Sequence, residues 1–462
     1  MSGEVKTTGR RMTLLPLVGA LYFMVSGGPY GLEELAQTVG FGVAMLVLVG
    51  TPIVWSVPTA LMVGELAAAL PEEGGYYAWV KRALGPFWGY QEAWLSLSAS
   101  VFDMGIYPTL FVLYLAKLSP ALVPSPFLVG LVVVAAGAAY NLAGARAVGQ
   151  GSELMTVALL APFAVLAAMA FLGHGPATPV VITAAKAADA AGEGGADAAP
   201  GIVSGIICAM WNYMGWDNAS TVAGEVERPQ TTYPRAVLLA VALVAVTYVV
   251  PFAAMRAAGV DPSGWDTGAW VDVARAYGGA PLAIAVVVGG AVSAFGMFNA
   301  LTLSYSRLPA VLAEDGYLPR VFTRRLKHGA PWVAVIACCA AWTASLGLSF
   351  DRLLSLDIML YGTSLVLEFV ALVVLRVREP KLARPFRIPG GTAVVVLVSA
   401  GPVLLLGVAL VKNLHETIAG VNALVFALGI MALGPVAYAV TRRVRGAAPA
   451  KAPSAGPSPT SD

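Results

Sequence analysis

The sequence predicts an all-α integral membrane protein of twelve transmembrane helices in which helices 1 and 6 are broken. Three observations carry that expectation. Of the 462 residues, 58% are apolar and 12% charged, where a soluble domain has roughly 25% charged. Ten runs of at least 19 residues contain no Asp, Glu, Lys, Arg or His, and a bilayer core of about 30 Å asks for roughly 20 helical residues. Lys and Arg gather in alternate connections between those runs, as the positive-inside rule requires. Together these exclude a soluble enzyme, a disordered chain and a disulfide scaffold, since Cys208, Cys338 and Cys339 all fall in apolar stretches.

The uncharged runs are 12–32, 35–64, 118–145, 154–173, 198–216, 236–255, 276–306, 329–350, 388–411 and 417–441. Two further stretches, 93–116 and 353–375, are equally long and apolar but carry Asp103 in the first and Asp357 with Glu368 in the second. They supply helices 3 and 10. With the amino terminus in the cytoplasm, 22 of the 28 Lys and Arg residues fall on the inner side, leaving Lys117, Lys186, Arg256, Arg275, Arg352 and Lys412 outside. This bias predicts a multi-pass protein of the cell's inner (cytoplasmic) membrane with both termini cytoplasmic. The net charge of +2 is then a topology signal, and no nucleic-acid partner follows from it. Arg10 and Arg11 before an apolar run imitate a signal peptide, but Glu33 and Glu34 follow the small residues and removing the run would leave an odd helix count.

The expected organisation is a cytoplasmic amino terminus (1–11), helices 1–5 (12–172), an Ala/Gly-rich extracytoplasmic loop (173–200), helices 6–10 (201–376), helices 11–12 (377–441) and a disordered cytoplasmic tail (442–462).

Helix 1 contains Ser26-Gly27-Gly28-Pro29-Tyr30-Gly31. In a helix interior Gly costs about 1 kcal/mol and Pro about 3, so the helix should open here, with Pro29 in the first turn of an outer half-helix. Glu33 and Glu34 then lie near the positive end of that half-helix, as a rim pair facing water or as a cation-attracting pair. Helix 6 carries a polar and aromatic stretch, Trp211-Asn212-Tyr213-Met214-Gly215-Trp216-Asp217-Asn218. An isolated Gly in a membrane helix commonly serves close packing, and that reading stays open for helix 6. The helix 1 cluster instead frees backbone groups that are tolerated at membrane depth only in a protein-lined cavity. Interruptions at matching positions of two five-helix halves, one entered from inside and one from outside, point to an inverted-repeat secondary transporter with its site near the midplane.

Seven acids lie within the spans: Glu33, Glu34, Glu65, Asp103, Asp217, Asp357 and Glu368, against Arg307 as the one basic residue well inside. At roughly 2.5–3.5 kcal/mol per ionised group at the bilayer centre, they cannot all be central and charged. Asp103 sits near the middle of helix 3 with Tyr107 one turn on. It suits a proton or a substrate amine, or a hydrogen-bond hub. Beside Asp217, the faces of Trp211, Tyr213 and Trp216 would hold an ammonium by cation–π attraction of about 1–2 kcal/mol when desolvated, or form part of an interfacial belt. Glu368, seven residues after Tyr361, fits a structural or a coupling role equally, and Glu65 a structural one. The expected substrate site is Ser26, Gly27, Gly28, Tyr30, Glu33, Asp103, Tyr107, Trp211, Asn212, Trp216, Asp217 and Tyr361. Asp103, Asp217 and Glu368 are the proton-coupling candidates.

Residues 25–34 (VSGGPYGLEE), 71–76 (PEEGGY), 83–91 (ALGPFWGYQ) and 219–227 (ASTVAGEVE), with 327–332 (KHGAPW), 367–369 (LEF) and 384–389 (RPFRIP), resemble the amino acid/polyamine/organocation superfamily. Within it they are most similar to the plant polyamine uptake transporters, a proton symporter group. The resemblance implies a LeuT-like fold of five plus five inverted helices with two C-terminal helices added, and substrate bound between the breaks of helices 1 and 6. It also suggests a cytoplasmic gate element at 225–235. Two departures stand out. The acids that the plant group carries after the Gly-Met-Phe triplet of helix 8 are missing, because Gly296-Met297-Phe298 is followed by no acid before Glu314; and helix 5 lacks the Lys found in many related amino acid transporters.

The expected activity is proton-coupled import of an amino acid or polyamine by alternating access, with backbone groups at Ser26, Gly27 and Gly28 taking a carboxylate if present and Asp103, Asp217 and the aromatics taking the amine. No cofactor is expected beyond the proton gradient, and the partners are the small-molecule amine or amino acid and the lipid bilayer. The missing helix 8 acids favour the rival reading, an exchanger or uniporter of neutral amino acids. An enzyme is not expected, since His174, His328 and His415 lie in loops without metal-ligand spacing and no nucleophile elbow or phosphate loop occurs. A channel would need a selectivity motif, and none is seen.

Overall fold

The computed structural model describes residues 12–176, 198–412, 417–418 and 420–444. The expected amino-terminal segment 1–11, most of the loop 173–200 and all but the start of the tail 442–462 lie outside the described residues. Helices dominate: α1 (Leu14–Val25), α2 (Glu33–Thr51), α3 (Val57–Ala69), α4 (Tyr76–Leu84), α5 (Pro86–Leu118), α6 (Pro126–Leu142), α7 (Ala145–Phe171), α8 (Ala198–Asn212), α9 (Pro229–Ala257), α10 (Ala269–Tyr305), α11 (Arg307–Glu314), α12 (Trp332–Trp342), α13 (Phe350–Arg378), α14 (Thr392–Lys412) and α15 (Ala423–Val444). A two-residue hairpin, Thr417–Ile418 with Val421–Asn422, precedes α15.

Among the described residues, eight helical stretches are long and apolar enough to cross a membrane, and four shorter apolar helices accompany them. Large apolar side chains such as Leu46, Leu154, Leu397 and Leu404 lie bare on the outside, a surface that only lipid solvates cheaply. The chain is built as a multi-pass membrane protein.

The first break extends from Ser26, extended at φ −134° and ψ 132°, to Leu32, and the next helix starts at Glu33. Pro29 therefore sits in the turn rather than inside a half-helix, and Glu33 and Glu34 open α2 instead of following one turn later. Gly40, at φ 68° and ψ 160°, kinks α2, so the divide between the first two predicted helices falls there and not at 33–34. The second break follows Asn212; Gly215 stands at φ 95° and a 3₁₀ stretch covers Asn218–Glu225. Helix α5 is 33 residues long, beginning at a Pro in the first-turn position it favours, and it takes in Glu92 as well as Asp103.

Around these breaks α1 packs on α7, α9 and α10, while α5 lies between α10 and α13. Not every membrane acid lacks a basic partner. Glu65 on α3, fully buried, accepts from Arg376 Nε at 2.8 Å, from the Ile388 N–H at 2.8 Å and pairs with Arg384 at 3.2 Å. The structural role expected of it has these partners, which come from the far end of α13 and the connection beyond it and so are invisible to spacing.

Candidate functional site

The two breaks meet. A Cβ at Gly215 would lie 2.4 Å from the Met24 carbonyl oxygen, so a glycine lets the second break rest on the end of α1. Around this contact is a cavity of about 20 Å³, room for about one water. Met24 and Val25 of α1, Asp103 and Tyr107 of α5, and Trp211 and Asn212 of α8 line it. So do Met214, Gly215 and Asn218 of the break, Met297, Leu301 and Tyr305 of α10, and Asp357 and Tyr361 of α13. No Lys, Arg or His is among these lining residues.

Asp103 accepts from the Tyr107 hydroxyl at 2.6 Å, one turn on along the same face, and from the Tyr305 hydroxyl at 3.2 Å. Asp357, likewise one turn before Tyr361, has an oxygen with no partner among the described residues. Tyr361 donates to Asp217 and accepts from the Gly215 N–H at 3.0 Å, tying the second break to α13. Trp211 meets the edge of Phe350 at 5.5 Å. Two buried carboxyl groups facing an aromatic-walled space suit one kind of guest, a cation with N–H donors.

Of the expected residues, Asp103, Tyr107, Trp211, Asn212 and Tyr361 line the cavity, and Asp217 adjoins it through Tyr361. Ser26, Gly27 and Gly28 do not line it. The Ser26 N–H goes to the Tyr22 carbonyl at 2.6 Å, the Gly28 N–H to Ser26 Oγ at 3.0 Å, and the Gly27 carbonyl accepts from Ser293 at 2.6 Å. With the Ser26 and Gly28 amides engaged, they do not await a carboxylate in this arrangement. Tyr30 donates to the Val286 carbonyl at 2.7 Å and packs edge-on against Tyr114 and Phe163. Glu33 is enclosed by the Tyr114 hydroxyl and the N–H groups of Gly31 at 2.8 Å and Gly268 at 3.1 Å. Both belong to a separate cluster at the start of α2. Trp216 is buried away from the cavity and Tyr213 donates to the Leu48 carbonyl at 2.8 Å, which leaves Trp211 as the ring of that trio on the cavity wall. Glu368 is buried farther along α13.

Sequence reasoning counted Asp357 among the acids without placing it in the site, and missed Tyr305, Met297 and Glu92. An Asp one turn before a Tyr, repeated as Asp357–Tyr361 after Asp103–Tyr107, was the available signal for the first.

A family model described as amino acid permease matches residues 19–439. A probable polyamine transporter of Arabidopsis thaliana is 34% identical over 428 residues, spanning 91% of this chain and 83% of that protein. A polyamine transporter of Oryza sativa subsp. japonica is 34% identical over 447 residues, spanning 96% and 80%. The serine/threonine exchanger SteT of Bacillus subtilis is 24% identical over 400 residues, spanning 83% and 85%. With the permease model covering both breaks and every residue of the cavity wall, the chain belongs to the amino acid permease family of the amino acid/polyamine/organocation superfamily, whose members are transporters and not enzymes.

Proposed function

We propose that the chain is a secondary active transporter that imports an amine, a di- or polyamine first and an amino acid second, across the cytoplasmic membrane together with protons. One observation carries this reading: a small cavity at the meeting of two helix breaks, faced by Asp103 and Asp357, walled by Trp211 and three tyrosines, and lined by no basic residue among the described ones. An ammonium finds acceptors and ring faces there. A carboxylate would find no cation among the lining residues, with the Ser26 and Gly28 amides already engaged, which is why polyamines come before zwitterions. The names of the plant relatives agree with that order. Asp103 and Asp357 bind the amine, and Asp217 and Glu368 are coupling candidates beside them.

The architecture that goes with this function has twelve spans in a LeuT-like five-plus-five inverted repeat, 12–172 and 201–376, two further helices over 377–441, and both termini cytoplasmic. Packing supports the repeat. Exchanging each helix for the one five places on maps the third-with-tenth contact, α5 on α13, onto the eighth-with-fifth, α10 on α7. It maps the fourth-with-eighth, α6 on α10, onto the ninth-with-third, α12 on α5; all four contacts exist.

The test is uptake into proteoliposomes. Putrescine or spermidine should accumulate under an inward proton gradient, and Asp103→Asn should abolish it while the protein stays folded; unchanged kinetics in that variant would sink the assignment. A second reading, exchange of neutral amino acids, is favoured by the serine/threonine exchanger among the relatives and by the acid-free stretch after Met297 in α10. It predicts counterflow of serine that is indifferent to the proton gradient.

A further inference from the structure

Outside the cavity wall lie three buried carboxyl groups: Glu92 on α5, Asp217 at the second break and Glu368 on α13, a helix that packs on α5. Glu92, Asp217 and Glu368 lie close enough to feel one another's charge. Among the described residues no basic side chain pairs with any of the three. Glu92 accepts from the Ser96 hydroxyl at 3.2 Å through one oxygen, its other oxygen has no partner, and neither oxygen of Glu368 has one.

Hydroxyls close the region without satisfying it. Tyr233 from α9 is fully buried, with an unpartnered OH in reach of Asp217 and Glu368, and Tyr76 from α4 is in reach of all three acids. Tyr361 and Ser364 face it from α13. No group of His, Cys, Asp or Glu among the described residues is placed to hold a metal ion. Three ionised carboxylates in one region of low dielectric, with no base and few donors, would each cost several kcal/mol. The counter-ion that needs no cavity is a proton. Asp103 differs, because two phenol hydroxyls donate to it and it lines the amine cavity.

We propose that Glu92 and Glu368 are the carboxyl groups that take up the co-transported proton, and that Asp217, bonded to Tyr361 of the cavity wall, connects them to the amine cavity. The inference rests on the proton-coupled reading above. An O–H bond forms on a glutamate oxygen when the proton arrives from water on one side of the membrane, and the same bond breaks when it leaves to water on the other; no electrons are exchanged.

Proteoliposomes carrying wild type, Glu92→Gln, Glu368→Gln and Asp103→Asn would be measured for gradient-driven putrescine accumulation and for gradient-free counterflow. Both Gln variants should lose the dependence on the proton gradient, a coupling typically about 5- to 150-fold between linked ligands, yet retain counterflow, whereas Asp103→Asn loses both. Accumulation by Glu368→Gln that matches wild type overturns the inference. So does a loss of counterflow confined to diamines and absent for a monoamine, which would make the pair an ammonium subsite. A wild type that accumulates nothing under the gradient overturns the proton-coupled reading and the inference with it. Should the Gln variants not fold, infrared difference spectra of wild type and Glu368→Asp decide: a protonated-carboxyl band that moves in the Asp variant is expected, and its absence from wild type overturns the inference.

Discussion

At the scale of single residues, charge placement separates what binds from what holds. Asp357 offers an unpartnered oxygen to the cavity, and a hydrogen bond to a charged group contributes about 1.5–3 kcal/mol. Asp357→Asn should therefore raise KM for a diamine by roughly ten- to hundredfold with little change in the melting temperature, as uptake kinetics and a thermal-unfolding scan would show. Glu65 is the opposite case. Arg376 and Glu65 are both buried, and removing one partner of such a pair costs about 3–5 kcal/mol. Glu65→Gln should lower thermal stability markedly, and a variant as stable as wild type would contradict the structural role. The pair of Arg82 and Glu379, at 2.7 Å, is partly exposed, so Arg82→Ala should shift stability by less than about 1 kcal/mol. Arg82 beside it holds the Glu379 carboxyl below its usual range. The small contribution is thus present at neutral pH and fades as the pH falls through that depressed value.

At the scale of elements, the breaks are fixed by glycines that have no substitute. Gly215 combines φ 95° with a backbone oxygen 2.4 Å from where a Cβ would stand. Gly215→Ala should push the second break off α1 and abolish uptake, while Gly407→Ala, with nothing within 4 Å, should transport normally; equal activity of the two would show that the contact does not matter. Much of this was legible. A Gly/Pro cluster in an apolar run announces an open helix, and the first interruption lies where that cluster does; the second lies in the polar and aromatic stretch around Gly215, for which close packing stays open in the sequence. Boundaries were less so, because Gly40 kinks α2 by its backbone angles alone, and an uncharged run ends at a charge whether or not the helix does. That is how Glu92, seven residues into α5, stayed out of sight. Nor could spacing tell that Trp211 faces the cavity while Trp216 packs away from it, since a broken helix has no regular period to carry a face across the gap.

At the scale of the whole molecule, two sets of ion pairs and hydrogen bonds tie neighbouring elements together away from the cavity. A volume of about 20 Å³ admits no diamine, so the proposed transport cycle needs one end to open for loading and the other for release. At one end the Gly268 N–H is bound by Glu33, Trp270 donates to the Pro29 carbonyl at 3.0 Å, and Lys117 reaches Asp266 at 2.9 Å and Asp272 at 3.7 Å. At the other, Tyr77 and Lys81 both bind Asp315, while Arg325 spans Glu73 at 2.8 Å and Glu314 at 3.1 Å. Each of these ion pairs is partly exposed and so contributes about 1 kcal/mol or less, enough to tilt a balance of two closed-at-one-end forms by up to roughly fivefold. With Cys208, Cys338 and Cys339 replaced by Ala, Met297→Cys reports on the cavity. Adding Asp315→Ala should speed its labelling by an impermeant thiol reagent from the proposed cytoplasmic side, whereas Lys117→Ala should speed it from the opposite side. Reconstituted vesicles of known orientation read the two rates. If both variants speed labelling from the same side, the two latches do not guard opposite entrances, and alternating access through this cavity fails with them.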